Sequence, residues 1–183
     1  MVITGIDTVS DTRHFWQTTC NRWTCIYCGP WKTWTLCKRI EAAKPNRFIT
    51  LTTARPEGQT PRDVWNVARR KVPEVARWIR DKTGECEYCR VLEEHKSGYP
   101  HFHLLVRSGY VKQEELSRYW CSLTEAFIVD IRKVNTDDNV AGYVAKYLTK
   151  KMDVGFTDRR VTNSKRFFEP KPAKQDSDRI MGE

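Results

Sequence analysis

Apolar and polar positions change their period several times between residues 46 and 151. β-Branched and apolar residues cluster in residues 47–53, as is typical of a strand, whereas Val64, Ala68 and Val72 recur at helical spacing. The whole region predicts the order strand, helix, strand, strand, helix, strand, helix. This order favours an α+β fold of the ferredoxin-like split βαβ type, with a central antiparallel sheet and helices packed on one face.

Local signals indicate where some of these helices begin. Thr60 and Pro61 are typical of an N-cap followed by the first helical residue, and Thr136 is a possible cap for the last helix. Pro73 lies inside the first predicted helix and is expected to kink or restart it, because proline has no backbone N–H to donate.

Composition divides the chain into three regions. Residues 1–45 are rich in Cys and Trp and show little helical or strand periodicity. Residues 46–151 carry the alternating pattern and form the predicted main domain. Residues 152–183 are basic and polar, which predicts a loosely ordered C-terminal tail.

Charge and cysteine content narrow the class of protein further. The 183 residues include 32 Lys+Arg against 23 Asp+Glu, a formal charge of +9, which favours nucleic acid as a partner. No apolar run approaches the length of a membrane span, and the first residues do not have the pattern of a signal peptide. We therefore expect no membrane partner and a cytoplasmic location, where closely spaced cysteines are typical of metal ligands.

The front of the chain predicts a structural Zn²⁺ site. Three cysteines follow a C-x₄-C-x₂-C spacing, and a fourth comes nine residues later. The four expected ligands are Cys20, Cys25, Cys28 and Cys37. The fourth ligand stays open, since Cys86 and Cys89, at C-x₂-C spacing, and His14 are rival donors.

Four tryptophans share this region with several basic residues: Trp16, Trp23, Trp31 and Trp34. A small zinc module needs bulky residues in its core, so we expect most of them to be packed. Indoles beside cations can also stack on unpaired bases, and one of the four is expected to contact DNA.

A histidine pair predicts a second metal site. His101 and His103 are two apart on a predicted strand and so point to the same face. The preceding strand offers Glu93 and Glu94, and a three-residue loop with a bulge at Gly98 would place Glu93 across from His101. Two imidazoles and one carboxylate are compatible with Mn²⁺, Mg²⁺ or Zn²⁺.

Two tyrosines on the last predicted helix offer a nucleophile. Tyr143 and Tyr147 are four residues apart and share a face, and Lys146 and Lys150 share a neighbouring one. A phenol can attack a phosphodiester when a metal polarises the phosphate and a lysine, here Lys146, stabilises the developing charge. Tyrosines at this spacing also commonly pack in a core.

Together these motifs resemble the HUH endonuclease superfamily, in particular the two-tyrosine branch of the rolling-circle replication initiators of phages and plasmids. The likeness is carried by residues 48–53, the histidine motif of residues 100–105 with Glu93 before it, and the tyrosine motif of residues 142–147. It implies a Mn²⁺ or Mg²⁺ cofactor, a single-stranded DNA origin as substrate and a 5′-phosphotyrosine intermediate. It also implies DNA contacts from Thr50, Thr52 and Lys150.

Several alternatives stay open from the sequence. A single-strand transposase of the same superfamily would carry similar motifs, and in a non-catalytic zinc-bearing nucleic-acid-binding protein the histidines and tyrosines would be structural. If one tyrosine alone reacts, Tyr143 is favoured. Since the chain has no room for a helicase domain, a host helicase and a polymerase are expected partners. The oligomeric state is open.

Overall fold

The computed structural model describes residues 2–7, 9–10, 12–17, 19–135, 140–150 and 159–169. Thr136 lies outside the described residues, as do the side chains of His14 and Trp16. The elements, in chain order, are β1 (Val2–Asp7), β2 (Thr12–Gln17), α1 (Cys28–Ala43), β3 (Arg47–Thr52), α2 (Pro61–Thr83), β4 (Cys86–Glu94), β5 (Pro100–Ser108), α3 (Gln113–Thr124), β6 (Val129–Lys133), α4 (Val140–Thr149) and β7 (Val161–Asn163).

A five-stranded antiparallel sheet organises the chain, with the strand order β6-β3-β5-β4-β7. Counting β3 to β6 as the first to fourth strands, their spatial order is fourth, first, third, second. This is the arrangement of a split βαβ fold, so the predicted fold class is confirmed. β1 and β2 form a separate antiparallel hairpin.

Helices cover both faces of this sheet, and the expectation that they would pack on one face is wrong. α2 and α3 bury Val72, Ile79 and Trp120 on one face, in a core that includes Leu51 and Phe102 of the strands. A second core on the other face contains residues of α1 and α4: Leu36, Ile40, Val144 and Leu148. The cause is visible in β5, where Phe102, Leu104 and Val106 enter one core and Leu105 enters the other, so the strand has apolar residues on both faces.

α2 begins and ends as its sequence predicts. Thr60 and Asp63 form a reciprocal capping box, and Gly84 closes the helix with a left-handed φ of 81°. The helix runs through Pro73 and does not restart there. Proline leaves the carbonyl four residues earlier without its helical donor, and the Arg90 guanidinium donates to that carbonyl, on Arg69, at 3.3 Å. Arg90 therefore stabilises a helix that contains an internal proline.

The cysteine-rich front end is more regular than its sequence suggests. α1 spans 16 residues, although residues 1–45 show little periodicity. Leu36 and Ile40 face the core, whereas Trp31 and Trp34 on the same helix are exposed. Apolar residues on both sides of α1 hide the helical period, which explains why the pattern does not predict this helix.

Residues 159–169 are built into the domain, unlike the loosely ordered tail that their composition predicts. β7 pairs antiparallel with β4, and Phe167 is fully buried in the core beneath α1 and α4. The buried Arg107 guanidinium donates to the backbone carbonyls of Arg166, Phe167 and Ala43. This one side chain therefore ties the segment to the end of α1.

Candidate active site

The β4–β5 hairpin sets the register of the predicted metal ligands. The His95 N–H donates to the Tyr99 carbonyl and the Gly98 N–H to the His95 carbonyl, while Gly98 has a φ of 82°. This is a three-residue loop with glycine in the left-handed position. Glu93 consequently lies directly opposite His101, as predicted, whereas Glu94 pairs with Pro100.

Glu93 and His103 form the closest polar contact of the site, with 2.6 Å between Glu93 Oε2 and His103 Nε2. Both side chains are nearly buried. Burial raises the pKa of Glu93, but the hydrogen bonds from His103 and Lys150 outweigh it and lower that pKa to about 2. The carboxylate is therefore ionised and only accepts hydrogen bonds, so His103 Nε2 carries the donated proton.

Thr50 orients the same imidazole from its other side, with 3.2 Å between Thr50 Oγ1 and His103 Nδ1. With its proton on Nε2, a neutral ring accepts at Nδ1, so the Thr50 hydroxyl donates to this nitrogen. A partner on the second nitrogen is typical of metal-binding histidines. The predicted DNA contacts of Thr50 and of Thr52, which is half-buried and pairs with His101, stay predictions.

His101 lies on the same face, but its ring turns towards the hairpin loop. It stacks on His95 with 4.7 Å between ring centroids, and its centroid lies 6.5 Å from that of His103. Burial, followed by the neighbouring His95 and His103, lowers the pKa of His101 to about 4. The imidazole is thus neutral near pH 7, the form that binds metals.

The predicted ligands suit a divalent ion in their chemistry, and they lie on one face of the sheet. Glu93, His101 and His103 supply one ionised carboxylate and two imidazoles on one face, and the Lys150 ammonium already contacts Glu93 Oε1. Glu93 and His103 are in contact, but His101 does not join them in one compact group. Within the described part of the chain, the Cys20, Cys25 and Cys28 group alone has its ligand atoms within 4.8 Å of one another.

α4 brings the two tyrosines onto this face of the sheet. The Tyr147 ring stacks on the His103 imidazole, with 3.9 Å between centroids and 22° between planes. Tyr143 packs edge-on against Phe48 at 5.0 Å and against Tyr147 at 5.2 Å. Burial, followed by the hydrogen bond with Tyr143, raises the pKa of Tyr147. Tyr147 is therefore a neutral phenol in direct contact with a predicted metal ligand.

Two lysines accompany the tyrosines at the predicted spacing. The Lys146 ammonium lies 5.8 Å from the Tyr143 ring centroid, and the Lys150 ammonium lies 5.6 Å from that of Tyr147. Lys150 also forms the ion pair with Glu93. The carboxylate thus contacts His103 of the hairpin through one oxygen and Lys150, directly after the tyrosine helix, through the other.

Arg160 supports the end of this helix, a role that no sequence signal predicts. One nitrogen of its guanidinium, Nη1, donates to the carbonyls of Leu148 at 2.9 Å and Lys150 at 2.6 Å, and its side chain is buried. Its own carbonyl accepts from the Leu92 N–H at 2.8 Å. The short apolar and β-branched run that follows Arg160 could have indicated β7, but nothing marks the arginine as buried.

Three of the four predicted zinc ligands come together. Cys20 Sγ lies 3.7 Å from Cys28 Sγ, and the Cys28 N–H donates to Cys25 Sγ at 3.4 Å. The backbone N–H groups of Cys28 and Tyr27, at the N-terminus of α1, lower the pKa of Cys25 to about 7. These three cysteines form a cluster that could hold a metal.

Among the described residues, the other three candidate cysteines do not join this cluster. Cys37 lies further along α1, and burial raises the pKa of its thiol. Cys86 and Cys89 are three apart on β4, point to opposite faces and are buried in separate cores. Burial raises the pKa of each to about 12, as expected for reduced core thiols.

Fold and site together define an α+β domain whose sheet presents a carboxylate and two histidines beneath a helix that carries paired tyrosines. The chain belongs to the family of the replication-associated protein ORF2, whose model matches residues 46–152, more than half of the chain. This membership supports a role in DNA replication, at its initiation, and with it DNA binding.

A search of curated proteins and a search of solved structures found no match. Among the described residues, no helix combines the length and the apolar character that crossing a membrane requires.

Proposed function

We propose that this chain is an HUH endonuclease of the two-tyrosine branch that nicks and rejoins single-stranded DNA at a replication origin and so starts rolling-circle replication. The observation that carries the proposal is the stacking of Tyr147 on His103, whose Nε2 contacts Glu93. A potential nucleophile, a predicted metal ligand and a carboxylate are thereby in one continuous contact.

Glu93, His101 and His103 would hold Mn²⁺ or Mg²⁺. That ion would polarise and orient the scissile phosphate. The tyrosine oxygen attacks phosphorus, the bond from phosphorus to the 3′ oxygen breaks, and the phenol proton passes to solvent while the departing oxygen gains one. The products are a 5′-phosphotyrosine and a 3′ hydroxyl.

The second tyrosine extends this chemistry to strand transfer. The first step exchanges one phosphodiester for another, so the protein–DNA bond conserves the energy needed for rejoining. Tyr143 and Tyr147 touch, and the second phenol could therefore accept the strand in a second cleavage. Lys146 and Lys150 lie beside these rings and would stabilise negative charge on the phosphate oxygens.

A covalent-adduct assay tests this proposal. The full chain is incubated with Mn²⁺ and a labelled pool of single-stranded oligonucleotides carrying a random central segment. Adducts that survive denaturing electrophoresis are recovered and sequenced, and the modified peptide is mapped. We expect an adduct enriched for one sequence and a modified peptide that contains Tyr143 or Tyr147.

Matched variants identify the nucleophile. Replacement of both Tyr143 and Tyr147 by Phe should abolish the adduct, whereas Tyr110→Phe, at an exposed tyrosine, should leave it unchanged. His103→Ala should lose the adduct but keep salt-sensitive DNA binding, since phosphate contacts dominate affinity. DNA binding without any adduct from the pool would favour a non-catalytic binding protein, and an adduct in the double variant would point to another nucleophile.

A further inference from the structure

A groove of about 1170 Å³ lies beside α1, apart from the tyrosine site. One wall is formed by residues of the cysteine segment and of α1, within the range 19–39. The other wall comes from Val161, Asn163 and Phe168, which β7 and the turn after it contribute. The order of residues 159–169 therefore creates a concavity that the sequence alone does not indicate.

Two tryptophans of α1 are exposed and do not contribute to the contact of this helix with the core. Trp31 is 66% exposed and Trp34 53%, and their rings stack on each other with 5.0 Å between centroids. Leu36 and Ile40 provide the contact of α1 with the core. The expectation that most of the tryptophans would be packed is therefore wrong for these two. Large exposed aromatics grouped together are typical of a binding surface.

Apart from the thiols of the cysteine cluster, the charged side chains that line the groove are basic. The Lys32 ammonium lies 4.3 Å from the Trp23 ring centroid, and the Arg39 guanidinium lies 3.9 Å from that of Phe168. Both cations line the groove, and no carboxylate is among the described residues that do. Cations on aromatic walls, without acids, match a ligand that has both flat rings and negative charge.

We propose that this α1 groove binds an unpaired stretch of DNA, with bases stacked on Trp31 and phosphates held by Lys32 and Arg39. The identification of this DNA with the strand that is cleaved at Tyr143 or Tyr147 rests on the proposed function. Single-stranded DNA exposes the base faces that indoles stack on, whereas a duplex hides them. A second copy of this chain would bring a like-charged surface to the groove, which disfavours self-association.

The groove is also close to the helix that bears the tyrosines. Trp34, which stacks on Trp31, lines a second depression on α1 together with Gly142 and Ala145 of α4. Both tyrosines are partly buried and pack against the core on the sheet side of α4. The aromatic surface and the tyrosine site are thus separated by the thickness of one helix, which is a short distance for a flexible strand.

Equilibrium binding of fluorescent (dT)₃₀ to the full chain, without added Mn²⁺ or Mg²⁺, tests the groove independently of cleavage. Trp31→Ala should weaken binding about tenfold, and Trp31→Phe should stay within about threefold of wild type because the ring remains. Arg39→Gln should reduce the salt slope of the binding constant by about 0.7. Tyr110→Ala removes another exposed ring and should change nothing.

Three outcomes would overturn the proposal. The first is wild-type affinity for (dT)₃₀ in the Trp31→Ala, Trp34→Ala double variant. The second is an equal loss for a duplex, because stacking on unpaired bases would then not be the cause. The third is a change of mass in solution instead of DNA affinity, which would indicate contact between copies. If the groove variants bind (dT)₃₀ normally and the protein still forms the covalent adduct, the role of the groove in DNA binding is refuted. The proposed function at the tyrosines then still stands.

Discussion

Replacing Arg160 should loosen the tyrosine helix and slow the chemistry without weakening DNA binding. The two carbonyls that this guanidinium caps belong to Leu148 and Lys150, at the end of α4. Lys150 contacts Glu93, and Tyr147, one turn back, contacts His103. Arg160 is therefore a positioning residue that sets where α4 presents its side chains to the sheet.

The expected magnitude follows from these two hydrogen bonds. A hydrogen bond from a charged donor contributes about 1.5–3 kcal/mol to the free energy of unfolding. Because one nitrogen serves both carbonyls here, Arg160→Met should lower that free energy by about 3 kcal/mol. Methionine keeps most of the buried length and adds no polar group. For a domain of this size, such a loss lowers the melting temperature by about 6–12 °C. A displacement of the helix end by about 1 Å can slow a reaction about a hundredfold.

Thermal unfolding and the adduct assay measure the two effects. Arg160→Met should lower the melting temperature and the rate constant for adduct formation, while the dissociation constant for single-stranded DNA stays within about twofold. Arg160→Lys, which can still donate to one carbonyl, should recover about half of both losses. Arg159→Met is the matched control, since it removes the same charge from the exposed neighbouring position and should preserve both properties.

A melting temperature and a rate for Arg160→Met that equal those of wild type would refute this reasoning. Equal losses in the Arg159 variant would do the same, because they would make net charge rather than helix positioning the cause.

Three further results are expected. Thr50→Val removes the hydroxyl that holds the His103 ring, so the Mn²⁺ concentration for half-maximal adduct should rise roughly 10- to 100-fold; an unchanged Mn²⁺ titration would contradict this. Cys25→Ser should abolish the zinc that elemental analysis detects in the purified protein, whereas Cys37→Ser should retain it. The reverse pattern would show that Cys37, and not Cys25, is a zinc ligand. Phe167→Ala should destabilise the fold by about 3–5 kcal/mol in denaturant unfolding. An unchanged free energy of unfolding would show that residues 159–169 contribute little to the core.

The sheet and the facing of its site residues could be predicted because both depend on local rules. Alternation along β5 separates His101 and His103 from Phe102, and the loop containing Gly98 fixes which glutamate stands opposite His101. Side-chain parity and loop length determine both results, and no distant contact is needed. The sequence left Cys86 and Cys89 open as joint ligands, although the same parity rule argues against it. The structure buries the two thiols on opposite faces of the sheet.

The features that the sequence did not predict depend on contacts between distant segments. Arg160, Phe167 and Arg107 are buried only because the segment around β7 packs against the sheet. No local periodicity in the sequence predicts this burial. α1 was missed for a different reason. Its exposed Trp31 and Trp34 carry apolar character on the side away from the core, so hydrophobicity alone could not separate the exposed face of α1 from the buried one.

The face beneath α4 explains how a helix can be held firmly and still present reactive groups. At one end of β3 and β5 this face is apolar, where Phe48 and Leu105 lie in the core with Leu148. Two residues along each strand it becomes polar, with Thr50 beside His103. Because side chains two apart on a strand share a face, the same register that packs α4 also sets the contact between Tyr147 and His103. A shift of one residue would lose the packing and the site together, so the stability of this core protects the geometry of the chemistry.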